Sequence, residues 1–125
     1  MLSINKIFNE DCVTGLQKIN DSTIDFVVTS PPYNVNLNYN SYEDNKPYID
    51  YLAWLTQIFS QCYRVLREDG RMAINIGDAK NGAIPTHSDI IQMCKGIGFD
   101  VLTTIIWNKN VAKSFNIVNI INYVN

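Results

Sequence analysis

Apolar residues at Leu52, Leu55, Phe59, Cys62 and Leu66 recur at intervals of three and four, the period of one helix face. Pro47 suits a first helical turn, so the pattern predicts a helix from Pro47 to about Leu66, stopped by Gly70. The run Ile24-Asp25-Phe26-Val27-Val28-Thr29 is β-branched and nearly continuous, as in a strand buried within a parallel sheet, and it stops at Ser30-Pro31-Pro32-Tyr33. Met72–Ile76 and Val101–Trp107 read as further strands, and Ile4–Phe8 as a first one. Cys12 to Ile19 predicts a short helix weakened by Gly15, and Ser88 to Lys95 another, stopped by Gly96 and Gly98. Residues 34–46 alternate Asn34, Asn36, Asn38 and Asn40 with Val35, Leu37 and Tyr39, which reads as a loop, with an edge strand as the alternative.

Strands alternating with helices predict an α/β fold with a mostly parallel sheet. Ligands of such sheets sit beyond the carboxyl ends of the strands. Asp11, Ser30–Tyr33 and Asp78 each follow a predicted strand, so all three are candidates for one edge of the sheet. The stretch from Ser114 to Asn125 differs, with asparagine at Asn116, Asn119, Asn122 and Asn125. It reads either as a short strand or helix, or as a segment not selected for this fold, such as a frameshift in AT-rich DNA. The expected organisation is thus a main part at 1–113 and an atypical tail at 114–125.

Composition narrows the function classes. The 125 residues make one domain, and 46% hydrophobic against 18% charged residues excludes a disordered tail. A net charge of -2 argues against a chain that grips nucleic acid over a broad basic surface, so any such role needs a specific site. Cys12, Cys62 and Cys94 are widely spaced and odd in number, as in a reducing compartment. There is no secretory leader at Met1 and no membrane-length apolar run, so a soluble, cytoplasmic protein is expected.

The chemistry centres on Thr29-Ser30-Pro31-Pro32-Tyr33-Asn34. Two prolines fix φ, remove two N–H donors and leave their carbonyls as acceptors on a stiff turn. Ser30 adds a hydroxyl and Tyr33 a flat aromatic face. Adjacent acceptors suit an –NH₂ group, and an aromatic wall suits a planar heterocycle; together they describe a pocket for the amino group of a nucleobase. Fixed acceptors would favour a tetrahedral amino nitrogen and receive the positive charge that develops as it attacks an electrophile. The base would have to leave the duplex, with stacking on Tyr33 offsetting part of the cost.

On these residues the chain resembles the amino-terminal half of a DNA amino-methyltransferase of the N4-cytosine/N6-adenine family with β-type motif order. Thr29–Tyr33 is similar to the family's catalytic motif, Asp11-Cys12 to the acidic position after its first strand, and the helix with Tyr51, Leu52, Trp54 and Leu55 followed by Arg64–Arg71 to its next block. Trp107-Asn108-Lys109 is similar to its late strand and turn. The resemblance implies a partial Rossmann-like S-adenosylmethionine-dependent methyltransferase sheet with flanking helices. It implies S-adenosylmethionine as cofactor, contacted by Asp11, Cys12 and Ser30, and DNA as partner, with the target base flipped out. Catalysis would fall to Ser30, Pro31, Pro32 and Tyr33. Serine at the first motif position leans toward cytosine N4, and methylases of this type commonly pair with restriction systems. Relatives acting on rRNA or on protein glutamine carry a Gly-rich loop before the catalytic motif, whereas only Gly15 precedes Ser30 here. No Gly-rich loop follows either: Gly77 and Gly82 lack the Lys-Ser/Thr of a P-loop, and Gly96-Ile97-Gly98 follows a helix. A truncated enzyme is therefore expected, completed by a missing carboxy-terminal half or by a second copy in a homodimer. The alternatives are a non-catalytic remnant or regulatory fragment, and an amino-methyltransferase acting on RNA.

Each assignment has a structural alternative. Ser30–Tyr33 could be a turn, and Asp11 an N-cap for the helix at Cys12. Asp78 reads as a turn residue and His87 as an exposed residue at a helix start, with no metal site to be built from it. Trp54 and Phe59 read as core, and Lys109 as a phosphate contact or a solvated lysine.

Overall fold

The structure, a computed structural model, describes residues 4–108 and 118–124. In chain order these form α1 (Cys12–Gln17), β1 (Ile24–Thr29), α2 (Tyr48–Val65), β2 (Leu66–Gly77), α3 (Thr86–Ile97), β3 (Val101–Asn108) and β4 (Val118–Val124). Among the described residues the strands form one sheet in the order β1-β2-β4-β3. β1 pairs with β2 in parallel, and β4 runs antiparallel to both β2 and β3. The α/β class is as predicted, but the pairing is mixed rather than mostly parallel. β1, β2 and β3 point one way, and β4, drawn from the 114–125 stretch, runs between two of them.

The core lies on one face of this sheet. Met72, Ile74 and Ile76 of β2 alternate inward and meet Tyr51, Leu55, Phe59 and Cys62 of α2 with Ile90 and Cys94 of α3. The predicted period of α2 is therefore its buried face, with Phe59 in the core and Trp54 packed against it. Burial pushes the thiol pKa of Cys62 up to about 11 and that of Cys94 up to about 12. Among the described residues no helix is long and apolar enough to cross a membrane.

Three expectations are corrected. Residues Ile4–Phe8 form no strand; Ile4 and Ile7 are 87% and 95% exposed, and among the described residues no strand pairs with them. β1 is a border of the described sheet rather than an interior strand. Ile24 and Val27 pack toward the helices, whereas Phe26 and Val28 are exposed on the other side.

The third correction concerns what stops α2: it ends at Val65, beside the Leu66 expected, and Gly70 lies beyond its end, within β2. Its last carbonyls are claimed from outside: Ser22 N–H donates to Arg64 O at 3.0 Å and Thr23 N–H to Val65 O at 2.8 Å. The turn before β1 thus satisfies acceptors that a helix terminus leaves open. Leu66–Gly77 continues directly as β2, with a register shift opposite Ile24/Phe26 that loops out the residues around Glu68 and Asp69. Gly70 is buried in that irregularity, where an added Cβ would sit 3.0 Å from Arg67 O and from a Leu66 methyl carbon.

Candidate active site

β1 and β2 stay in register through Val27↔Met72, Val28↔Ala73 and Thr29↔Ile74, so the chain leaves the sheet at Ser30, at the carboxyl end of a parallel strand. Ser30 is exposed, Pro31 is buried and Tyr33 packs against the core. Ser30 Oγ and Tyr33 Oη lie 3.3 Å apart, close enough for either hydroxyl to donate to the other. Of the two proline carbonyls, both expected to be left as acceptors, one is already engaged. Tyr51 Oη donates to the Pro32 carbonyl at 2.6 Å. Among the described residues no hydrogen bond to the Pro31 carbonyl competes in this way. Burial, then the neighbouring Tyr42 and Asp44, holds the Tyr51 phenol well above its ordinary pKa, so it remains a donor.

Asparagines at 34 and 36 adopt left-handed backbone, φ 58° and 63°, a conformation Asn tolerates better than most residues. The Asn34 amide pairs with Lys46 in both directions: Nδ2–H donates to Lys46 O and Oδ1 accepts from Lys46 N–H, each at 2.8 Å. Asp44, 3% exposed, accepts from the backbone N–H groups of Asn34, Val35 and Leu37 at 3.0, 3.1 and 2.9 Å. The loop predicted for residues 34–46 is thus internally bonded, with one bridge at Asn38↔Glu43. Tyr42 of this loop lies with its ring 4.9 Å from Trp54, and Lys46 Nζ sits 4.4 Å from the Tyr42 ring centroid.

Asp11 is the N-cap of α1, its Oδ1 accepting from Val13 N–H at 3.0 Å and Thr14 N–H at 3.2 Å. With Cys12 it lines a cavity of about 270 Å³ whose other walls include Phe8, Leu16 and Ile19. Burial, then the Asp11 charge, raises the Cys12 thiol pKa, so this cysteine is not poised as a thiolate. Arg64 of α2 anchors α1 by donating to Leu16 O at 2.8 Å and Ile19 O at 2.9 Å, and it pairs with Asp21.

Asp78 is more than the turn residue expected. Its Oδ1 accepts from His87 N–H at 3.1 Å and lies 2.7 Å from His87 Nδ1, capping α3 from outside the helix. His87 is accordingly half-buried and paired rather than exposed. Beside it Tyr48 Oη donates to Asp89 at 2.6 Å, and burial followed by that bond pushes the Tyr48 phenol up to about 12.

The structure therefore joins Ser30, Pro32 and Tyr33 with Tyr51, while Asp11 and Cys12 line a cavity to which none of residues 30–33 contributes. A second cleft, of about 530 Å³, lies between Asn34, Val35 and Lys46 on one side and Ala79, Lys80 and Ile84 beyond β2 on the other. Lys109 lies outside the described residues. Sequence reasoning missed Asp44, and it named Asn34 and Tyr51 only within the motif and the helix, without the bonds they make. Tyr51 could have been flagged as a phenol on the buried helix face, since its hydroxyl needs a partner there. No local signal marks Asp44.

Residues 24–124 match the model of a family described as DNA methylase. The chain is 40% identical over 122 residues to Type II methyltransferase M.MjaVI of Methanocaldococcus jannaschii, which covers 88% of this chain and 62% of that relative. Its fold superposes on a Thermus thermophilus protein, named as a DNA modification methylase and solved with S-adenosyl-L-methionine, with a TM-score of 0.70 at 28% identity. That match covers 91% of this chain and 50% of the other. It also superposes on PvuII DNA methyltransferase, named as cytosine-N4-specific, with a TM-score of 0.71 over 92% of this chain and 46% of that one. At 19% identity the second likeness is one of fold. The chain spans less than two thirds of each of these three proteins.

Proposed function

This chain belongs to the DNA methylase family, and on that premise we propose that it carries the base-binding half of an enzyme that methylates an exocyclic amino group of DNA, cytosine N4 or adenine N6. The protein acts in the cytoplasm on a base flipped out of the duplex. The observation that carries this reading is the motif geometry. A Ser-Pro-Pro-Tyr turn stands at the carboxyl end of a parallel strand, with Ser30 and Tyr33 hydroxyls 3.3 Å apart and the turn tied to α2 through Pro32. Ser30 Oγ and the Pro31 carbonyl accept the two amino hydrogens of the base. Pro32 and its bond to Tyr51 keep the turn from yielding, and the Tyr33 ring stacks on the base. As the amino nitrogen would take the methyl group, the methyl–sulfur bond breaking to leave a neutral thioether, the positive charge it acquires would fall against acceptors already in place, and one amino proton would pass to solvent.

S-adenosylmethionine, when bound, supplies an electrophilic methyl group. The residues around Asp11 fit its adenine end: Phe8, Leu16 and Ile19 offer an apolar slot, and the Asp11 carboxylate offers an acceptor at its edge. A volume of about 270 Å³ is just below the usual range of small-molecule pockets, so the slot suits one end of the cofactor. Ser30 would meet the methyl-bearing end from the motif side.

The test is transfer of labelled methyl groups, by the whole enzyme that carries this chain as its base-binding half, to duplex DNA, single-stranded DNA and RNA, with hydrolysis of the product to locate the label. Label on an exocyclic amino nitrogen of DNA, lost in Ser30→Ala, is the expected result. Label confined to RNA would overturn the choice of substrate, and unchanged transfer by Ser30→Ala and Tyr33→Ala would overturn the site.

A further inference from the structure

We propose that Asp44 is a positioning residue for base capture: its buried carboxylate builds the segment that leaves the Ser-Pro-Pro-Tyr motif into a preformed wall of the neighbouring cleft. This rests on the active-site reading above. A carboxylate that is 3% exposed is costly to bury unless its oxygens are satisfied. Here Oδ1 takes the N–H of Asn34, and Oδ2 takes those of Val35 and Leu37. The Asp44 backbone carbonyl takes a fourth, from Asn36 at 2.7 Å. The first of these donors is the residue immediately after Tyr33. The carboxylate therefore sets the direction in which the chain exits the motif, with Asn34 held in left-handed backbone and its side chain locked onto Lys46.

The consequence reaches the cleft. Asn34, Val35 and Lys46, all held by this network, form one side of the cavity of about 530 Å³. Ordering a segment of this length on substrate arrival would cost conformational entropy at every residue it fixes. An internal anion that orders it beforehand leaves that cost out of base binding, which is the advantage of preorganisation. Nothing in the network requires Asp44 to touch the base; it acts through the amides of Asn34, Val35 and Leu37.

The experiment compares the wild-type chain with Asp44→Asn, in which an –NH₂ replaces one acceptor oxygen and faces N–H donors. Two quantities are read: amide exchange at Asn34, Val35 and Leu37, and capture of an oligodeoxynucleotide carrying 2-aminopurine, which brightens when unstacked. Loss of charge-assisted bonds should speed exchange at these amides roughly 10- to 100-fold. The buried amides of α2 should exchange as before. Oligonucleotide affinity should fall about tenfold, the loss that about 1.4 kcal/mol corresponds to, with S-adenosylmethionine affinity unchanged; general loosening of the fold would move both. Should Asp44→Asn fail to fold, Asn34→Gly, which keeps the left-handed backbone but removes the lock on Lys46, should show the same selective loss. Wild-type affinity in the folded variant would overturn the positioning role alone. Absence of base capture by the wild-type chain would overturn the active-site reading and this role with it.

Discussion

The hydroxyl of Tyr51 donates to the carbonyl of Pro32 across 2.6 Å, joining the first turns of α2 to the centre of the Ser-Pro-Pro-Tyr turn. Tyr51 is fully buried, and its ring packs 6.2 Å from both Tyr48 and Trp54. The bond divides labour between two neighbouring prolines. One carbonyl holds the turn to the helix, and the proposed function assigns the other to the amino group of the base.

Tyr51→Phe keeps the ring and removes the donor, leaving a part-buried carbonyl without its partner. The expected loss is about 1–3 kcal/mol of folding stability. Urea denaturation measures it. In a methyl-transfer assay the same variant should lose turnover more than DNA affinity, since the turn loosens while the stacking face of Tyr33 remains. A midpoint equal to wild type would show that the hydroxyl does not hold the turn.

Ser30 and Tyr33 should separate kinetically. Ser30→Ala removes a polar contact to the reacting group and should lower turnover on the order of 10²–10³-fold, as loss of one oxyanion-hole donor does. Tyr33→Ala should chiefly weaken base capture, by about 1–3 kcal/mol for one lost stack. Steady-state kinetics on DNA distinguish the two, and equal effects on both constants in both variants would contradict the division of roles.

Arg64→Ala should release α1 from α2. The guanidinium donates to the carbonyls of Leu16 and Ile19 and pairs with Asp21, so three tethers go at once. Limited proteolysis should then cut within residues 12–22 at protease levels that leave the wild type intact. Hydrogen exchange in β2 should stay slow, because Met72, Ile74 and Ile76 keep their partners in α2 and α3. Cleavage beginning in β2 instead would show that Arg64 supports the whole core.

Stability should fall on the alkaline side. Burial raises the Cys94 thiol from 9.0 to about 12 and Cys62 from 9.0 to about 11, while Tyr48 rises from 10.0 to about 12. A folded-state pKa above the unfolded one means that the unfolded chain loses its proton first as pH rises. The stabilisation from these neutral groups is thus complete below about pH 9 and is lost progressively toward pH 12. Urea midpoints measured across this window should drop, and Cys94→Ala should make the drop shallower. A flat profile in the wild type would contradict the burial of these groups.

The motif, the helix carrying Tyr51 and the strands at Met72–Ile76 and Val101–Trp107 were legible in sequence because their signals are local. A period of three and four, a β-branched run and two adjacent prolines each act within a few residues. The family was legible as well, because Ser30 to Tyr33 are contiguous at the end of a strand and resemble its catalytic motif. Ile4–Phe8 shows the limit of that logic. Its apolar residues satisfy a strand pattern, but a strand exists only where a neighbour supplies hydrogen bonds, and among the described residues none pairs with it.

What tertiary contacts settled are the features whose partners lie far along the chain. The last carbonyls of α2, at Arg64 and Val65, are taken by Ser22 and Thr23, more than forty positions away in sequence. β1 became a border strand because β2 pairs on one side of it, a matter of neighbours that composition does not encode. The Pro32 carbonyl is occupied by a phenol nineteen positions downstream, and the loop after Tyr33 is ordered by a carboxylate ten positions from Asn34. A buried polar group must find its partner wherever the folded chain brings one, so residue type alone announces the need for a bond, and the assembled core chooses with whom it is made.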